Sequence, residues 1–199
     1  MAGVLNLFQA FGVSAASGLN AYIPLLVIGL LARFTNLIHL HEPYDVLTHP
    51  VVLAVLAVLA ALDFIGDKIP AVDHVLHLFG LVVHPVAGAV LFLAANSDTG
   101  TVNPVLAAVC GLALAGGIHA ARATARPVAT ATTAGVANPL VSFAEDVVAL
   151  VLSILAVVVP VVAALLVLLL VAALVQFVRR RRRRAVERSA TGAARLPTE

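Results

Sequence analysis

Long apolar segments alternate with short polar islands along this chain. The apolar segments are residues 5–32, 51–62, 78–95, 105–118 and 147–178, and they carry almost no charge. A helix advances about 1.5 Å per residue and needs about 20 apolar residues to cross a bilayer. The pattern therefore predicts an all-α, polytopic helical membrane protein with about six crossings, five being the alternative.

Some residues are expected to interrupt these helices. The segment 147–178 is too long for one crossing of about 30 Å, so Pro160 is expected to kink or break it. Asn20 stands beside small residues, which predicts either an unwound turn, as in discontinuous transporter helices, or close packing with one interhelical hydrogen bond. The threonine-rich stretch 129–139, ATATTAGVANP, is too polar for lipid and too apolar for a loop, so re-entrant or cavity-lining backbone is expected there.

Two polar islands carry signals for the start of a helix. Pro70 is expected to break one helix, and Asp73 is expected to cap the next one. Ser142 is followed three residues later by Glu145, which is the pattern of a capping box. A helix is therefore expected to begin near Phe143.

The two halves of the chain share a short pattern. SGLNAY at 17–22 and GGIHAA at 116–121 both place a glycine, an aliphatic residue, a polar residue and an alanine in the same order. If each half holds three crossings, the halves face opposite ways, which is the inverted-repeat plan of many transporters. Chance similarity in so alanine-rich a chain is the alternative.

Composition supports the membrane assignment. Hydrophobic residues make up 62% and charged residues 11% of the chain, and the mean hydropathy is +1.09, far from the balance of soluble domains. The first apolar segment has no preceding Lys or Arg, so it is interpreted as a retained span and not as a signal peptide. We therefore expect a multi-pass protein of the cell membrane.

Basic residues are concentrated after Val178, where arginine fills every position of 179–184. Such a run beside a span follows the positive-inside rule and attracts anionic lipid head groups by about 1 kcal/mol per residue. We therefore divide the chain into a helical transmembrane domain, 1–178, and a basic, disordered cytoplasmic tail, 179–199. With six crossings both termini would be cytoplasmic. No nucleic-acid partner is expected, because a stop-transfer anchor explains the arginines more simply.

One stripe of ionisable residues stands out because no acid lies beside it in the sequence. His119, Arg122 and Arg126 have i, i+3 and i+7 spacing and share one face of a helix. Charged groups near the bilayer centre cost about 2.5–3.5 kcal/mol each, so they are expected to face the protein interior or water. The stripe is an anion-binding wall of a central cavity in one interpretation. In the other, Arg122 and Arg126 mark a cytoplasmic helix end or pair with Glu145 and Asp146.

Acidic residues and histidines recur around the second polar island. Asp63 and Asp67 are four residues apart, as are Asp73 and His77, so each pair shares a helix face, and His84 continues the second pair seven residues after His77. A divalent cation or a proton path is one interpretation, and helix caps with ion pairs are the other. The spacing matches no recognised metal motif, and the single cysteine, Cys110, is interpreted as a small hydrophobe.

Three stretches carry a family resemblance: SGLNAYIP at 17–24, DFIGDKIPAVDHVLH at 63–77 and NPLVSFAED at 138–146. Together they resemble a family of small bacterial multi-pass membrane proteins catalogued only as a domain of unknown function. The resemblance covers roughly residues 10–160 and leaves out the arginine tail. It implies a membrane location and a compact helical domain, and it implies no substrate.

Three classes of function remain open. A small transporter or channel for an ion or a small anionic solute accounts for broken helices, charges of both signs and a repeat. A structural or assembly subunit, including a homo-oligomer, needs only the spans and their packing residues. A membrane-embedded enzyme acting on a lipid is least favoured, since no HExxH or GxSxG motif is present.

The bilayer is the one partner that the sequence requires, and no cofactor is expected. No catalytic, cofactor-binding or metal-binding residue is assigned. The candidate residues for lining a cavity or contacting a substrate are Asn20, Asp63, Asp67, His77, His119, Arg122, Arg126, Glu145 and Asp146.

Overall fold

The computed structural model of this protein describes residues 2–66, 70–133 and 138–193, without the side chains of 2, 70–77, 125–133, 178 and 181–193. All regular secondary structure in this part of the chain is helical. It comprises α1 (Ala2–Leu19), α2 (Tyr22–Phe34), a short 3₁₀ helix (Tyr44–Thr48), α3 (Pro50–Gly66), α4 (Pro70–Ser97), α5 (Pro104–Thr133), α6 (Asn138–Val158) and α7 (Pro160–Ala193).

Four of these helices are long and apolar enough to cross a membrane. The spans are Leu78–Ser97, Pro104–Thr124, Asn138–Val158 and Pro160–Phe177, and α1, α2 and α3 are apolar but shorter. Large apolar side chains cover the outer surface, as Leu168 does on α7. Lipid solvates such a surface, whereas water would not. The predicted class, an all-α polytopic membrane protein, is confirmed.

α1 lies inside the helical bundle and contacts α2, α4, α5, α6 and α7. Its Ser14 is buried where α4 meets α5, with Oγ 3.1 Å from the carbonyl oxygens of both Gly88 and Gly111. A Cβ atom on Gly111 would lie 2.8 Å from the Cα atom of Ala89, so the backbones of α4 and α5 are in contact there. Small residues thus replace bulky ones where three helices meet.

Two predicted helix starts are wrong. α4 begins at Pro70, so Asp73 lies inside its first turns and is not the cap. α6 begins at Asn138, which places Ser142 inside the helix as a buried residue and not at a capping box. The physical reason is the same in both helices, since each has a proline in its first turn. Backbone N–H groups in the first turn have no partner within the helix, so proline loses nothing there by lacking one, and its fixed φ favours the helix.

Other boundaries follow the sequence more closely. The break at Pro160 is confirmed, since α6 ends at Val158 and α7 begins at Pro160. Re-entrant backbone is wrong for residues 129–133, because α5 continues as a helix to Thr133, and residues 134–137 lie outside the described part. α7 continues to Ala193, whereas we expected a disordered tail from residue 179.

The two halves of the suggested repeat differ at their matching positions. α1 ends at Leu19, one residue before Asn20. α5 passes through the corresponding residue, His119, without interruption. The inverted repeat therefore stays a hypothesis from sequence, since the helix is interrupted at Asn20 but not at the matching His119.

Candidate functional site

The first apolar segment is broken at Asn20. α1 ends at Leu19 and α2 begins at Tyr22, so the unwound turn predicted there is confirmed. The Asn20 Oδ1 atom accepts hydrogen bonds from the backbone N–H of Tyr22 at 2.9 Å and of Ile23 at 3.0 Å. These are amides that a helix start leaves unsatisfied, so the Asn20 side chain caps α2.

The amide nitrogen of the same side chain joins two further helices. Asn20 Nδ2 donates to Asp63 Oδ2 on α3 at 3.0 Å and to Asp146 Oδ1 on α6 at 2.9 Å. Its side chain thus makes four hydrogen bonds while only 1% of its surface is exposed. The predicted interhelical hydrogen bond is therefore present together with the unwound turn, and both alternatives hold at once.

Arg122 binds the other side of the helix break, at the C-terminal end of α1. Its Nη1 atom donates to the backbone oxygen of Leu19, the last residue of α1, at 2.7 Å. Its Nε atom donates to Glu145 Oε2 at 2.6 Å, and the two side chains are 8% and 16% exposed. A helix C-terminus presents unsatisfied carbonyls and a negative dipole end, which a guanidinium stabilises. The predicted ion pair of Arg122 is confirmed for Glu145.

These contacts define a polar junction, which consists of Asn20, Asp63, Arg122, Glu145 and Asp146. The junction joins α1, α2, α3, α5 and α6 around the broken helix. Among the described side chains, three carboxyl groups meet one guanidinium there. Of the two alternatives for Arg122, the contacts favour the ion pair over the anion-binding wall, since the guanidinium is engaged by Glu145 and Leu19.

Two buried histidines lie side by side next to the junction. The rings of His84 on α4 and His119 on α5 have centroids 4.0 Å apart and are tilted by 32°. The His84 Nδ1 atom lies 3.0 Å from the backbone oxygen of Gly80. A Cβ atom on Gly80 would lie 2.9 Å from His119 Cε1, so the glycine leaves the space that the His119 ring fills.

The sequence pointed to His119 but grouped His84 with the second polar island, so it missed this histidine pair. Three other candidates lie outside the described side chains. Asp67 lies outside the described residues, and the side chains of His77 and Arg126 are likewise not described. Among the described residues, no three His, Cys, Asp or Glu side chains lie close enough together to hold one metal ion, and this includes the three carboxyl groups of the junction.

Two cavities lie away from the polar junction. The larger, about 460 Å³, is the α5–α7 groove, which is lined by Ala113, Leu114, Gly117, Ile118, Ala121, Val171, Leu174, Val175 and Arg179. The smaller, about 90 Å³, lies between α1, α4 and the loop after α2, and it includes Asn6, His39 and Asp98. Neither of these two cavities contains a residue of the junction.

The packing of the histidine pair gives a testable expectation. Gly80→Ala should lower the free energy of unfolding by about 1–3 kcal/mol, because the new methyl group overpacks against the His119 ring. Gly117→Ala is the matched control, since no atom lies within 4 Å of its Cβ position and alanine favours helix by up to about 1 kcal/mol. Denaturant unfolding of both variants in detergent measures this, and equal stabilities would contradict the packing described.

Comparison with known proteins identifies the family. No curated protein and no solved structure matches the chain. Residues 7–180 match the family described as a domain of unknown function, DUF4126. The match contains the polar junction and the histidine pair, and it extends beyond the resemblance over 10–160 at both ends. Since it covers most of the 199 residues, this apolar helical bundle around a broken helix belongs to the DUF4126 family.

Proposed function

We propose that this protein is a small transporter or channel for a cation, including the proton, and that the polar junction is its ion site. One observation carries the proposal: a helix is interrupted among apolar helices, and the described side chains at the interruption include three carboxyl groups and one guanidinium. Ionisable groups at membrane depth mark ion pathways in many membrane proteins, and discontinuous helices supply their binding sites. The charge balance favours a cation over the anionic solute.

The geometry suggests how a cation would bind. Asn20 Nδ2 lies between Asp63 and Asp146 and donates to both. A cation that enters the junction competes with the amide hydrogens for the same two carboxylates, and oxygen ligands suit hard cations. Asp63 is half-buried whereas Asp146 is buried, so the ion meets Asp63 first. Arg122 stays bound to Glu145 and keeps the end of α1 in place.

Orientation and location belong to the same proposal. The arginines that follow the Pro160–Phe177 span favour a cytoplasmic C-terminus by the positive-inside rule. A bacterial inner membrane fits this arrangement, as does attraction of the tail to anionic lipid. Homo-oligomerisation is compatible with the apolar outer surface and stays a prediction.

Flux through liposomes tests the proposal. The purified full-length protein is reconstituted, and uptake of H⁺, Na⁺, K⁺ and Mg²⁺ is compared with uptake of chloride and phosphate. Asp63→Asn should lower cation flux by about tenfold, the effect of about 1.4 kcal/mol on ion affinity. Asp98→Asn is the control, because Asp98 is exposed and bonds to Asn6 outside the junction.

Three results would oppose the proposal. Unchanged cation flux in the Asp63→Asn variant would show that the junction does not lie on the ion path. Flux of chloride or phosphate alone would return the assignment to an anion. Absence of flux of any tested ion in folded, reconstituted protein would rule out the transport function.

A structural or assembly subunit is the second candidate. The observation that favours it is the hydrogen bonding of Asn20, whose buried side chain makes four hydrogen bonds to its neighbours. A scaffold would keep these contacts permanently, whereas a transporter must open them. Folded protein without flux, in which Arg122→Gln lowers stability alone, is the outcome expected of a scaffold.

A further inference from the structure

We propose that the α5–α7 groove binds an anionic phospholipid, with an acyl chain along the groove and the phosphate at Arg179. The proposal does not depend on transport. The groove is about 460 Å³, within the range of about 300–1,000 Å³ that small-molecule sites occupy. Eight of its nine lining residues are apolar or glycine, and Arg179 is the remaining one.

The depth of the groove in the membrane matches a phospholipid. Its α5 residues lie within the span Pro104–Thr124, and its α7 residues from Val171 lie within Pro160–Phe177. Arg179 follows two residues after that span ends, which places it at the level of the lipid head groups. Val171 and Arg179 are separated by two helical turns, or about 12 Å, on one face of α7. The groove thus leads from the apolar layer to a cation at the interface.

The charge at the end of the groove selects an anionic head group. Arg179 and the following Arg180 are both exposed. A guanidinium binds phosphate oxygens with two parallel hydrogen bonds, and it remains charged at any physiological pH. Each arginine near an anionic membrane surface contributes about 1 kcal/mol. A zwitterionic lipid would fill the same apolar groove, but its head group would interact more weakly with Arg179.

Gly117 keeps the groove open. No atom lies within 4 Å of the Cβ position of Gly117, although it lines the groove on α5. A side chain at this position would occupy the space of the acyl chain without displacing a packed neighbour. The position therefore gives a way to fill the site while the helices stay in place.

Native mass spectrometry of the full chain, released from detergent, tests the site with phosphatidylglycerol and phosphatidylcholine as probes. We expect the wild-type protein to retain one phosphatidylglycerol in preference to phosphatidylcholine. Gly117→Phe should weaken retention by about tenfold, equivalent to about 1.4 kcal/mol. Arg179→Gln should reduce the preference for phosphatidylglycerol by about fivefold, the effect of about 1 kcal/mol.

Two controls match these variants. Leu112→Phe adds bulk at an exposed position of α5 that does not line the groove, and Arg33→Gln removes an arginine of α2. Both should bind phosphatidylglycerol as the wild type does. Circular dichroism verifies that each variant is folded, and Gly117→Leu replaces Gly117→Phe if the larger residue disturbs folding.

Three outcomes would overturn the proposal. The first is undiminished binding by folded Gly117→Phe or Gly117→Leu. The second is equal retention of the two lipids by the wild type. The third is a dimer that Gly117→Phe dissociates while no lipid is retained, since a second copy of the chain would then be the occupant of the groove.

Discussion

Replacing Arg122 by glutamine is expected to lower the free energy of unfolding by about 3–5 kcal/mol, the usual effect of breaking a buried ion pair. Glutamine leaves Glu145 at the junction without its cationic partner at 2.6 Å. It also removes the guanidinium that donates to the backbone oxygen of Leu19 at the end of α1. Both of the lost contacts stabilise the same helix break.

Denaturant unfolding in detergent measures this effect. Arg33→Gln is the control, because Arg33 also donates to a backbone oxygen, that of Thr48, but at an exposed site, where an effect within about 0.5 kcal/mol is expected. The double variant Arg122→Gln with Glu145→Gln should recover part of the loss, since it removes the stranded charge. A single variant as stable as Arg33→Gln would show that the ion pair contributes little to the fold.

Replacing Asn20 by leucine is the second large expected effect. Leucine is similar in size but removes all four hydrogen bonds, which leaves two carboxylates and two backbone amides without this partner. Each buried group left unsatisfied costs about 1–3 kcal/mol, so we expect a loss of about 3 kcal/mol or more. Any cation flux should also be lost.

Asn6→Leu is the matched control for that experiment. Asn6 also donates to an aspartate, Asp98, at 3.1 Å, but this bond is exposed. Exposed polar contacts contribute little, so a change within about 0.5 kcal/mol is expected. Thermal unfolding of the two variants side by side gives the comparison. If Asn20→Leu were no more destabilising than Asn6→Leu, the polar junction would not hold the break together.

The sequence predicts the membrane class well, because helix length and bilayer thickness are linked by simple geometry. Pro160 and Asn20 were correctly identified as interruptions. The prediction of a helix start near Phe143 was wrong. Ser142 and Glu145 are three residues apart, as in a capping box, but neighbours on one face in the middle of a helix have the same spacing. Local spacing does not separate these two cases, whereas Pro139 in the first turn of α6 does.

Five of the nine candidate residues meet in the polar junction, since charged groups in apolar segments must turn inward. Their pairing was not predictable, because Asn20 is 126 residues from Asp146 in the chain. The charge partner of Arg122 was not predictable for the same reason. Two arginines in sequence suggested an anion, and the acid that engages Arg122 comes from another helix. The histidine pair was missed because Gly80, which makes room for it, carries no signal alone.

The contact of Ser14 with Gly88 and Gly111 bears on how the molecule can move. Because glycines bring the backbones of α4 and α5 into contact at that point, the two helices have little room to slide past each other, and Ser14 joins α1 to both. We expect these three helices to behave as one rigid body. Hydrogen bonds of Asn20 connect α2 and α3 to that body, so we expect these two helices to rotate relative to it about the unwound turn.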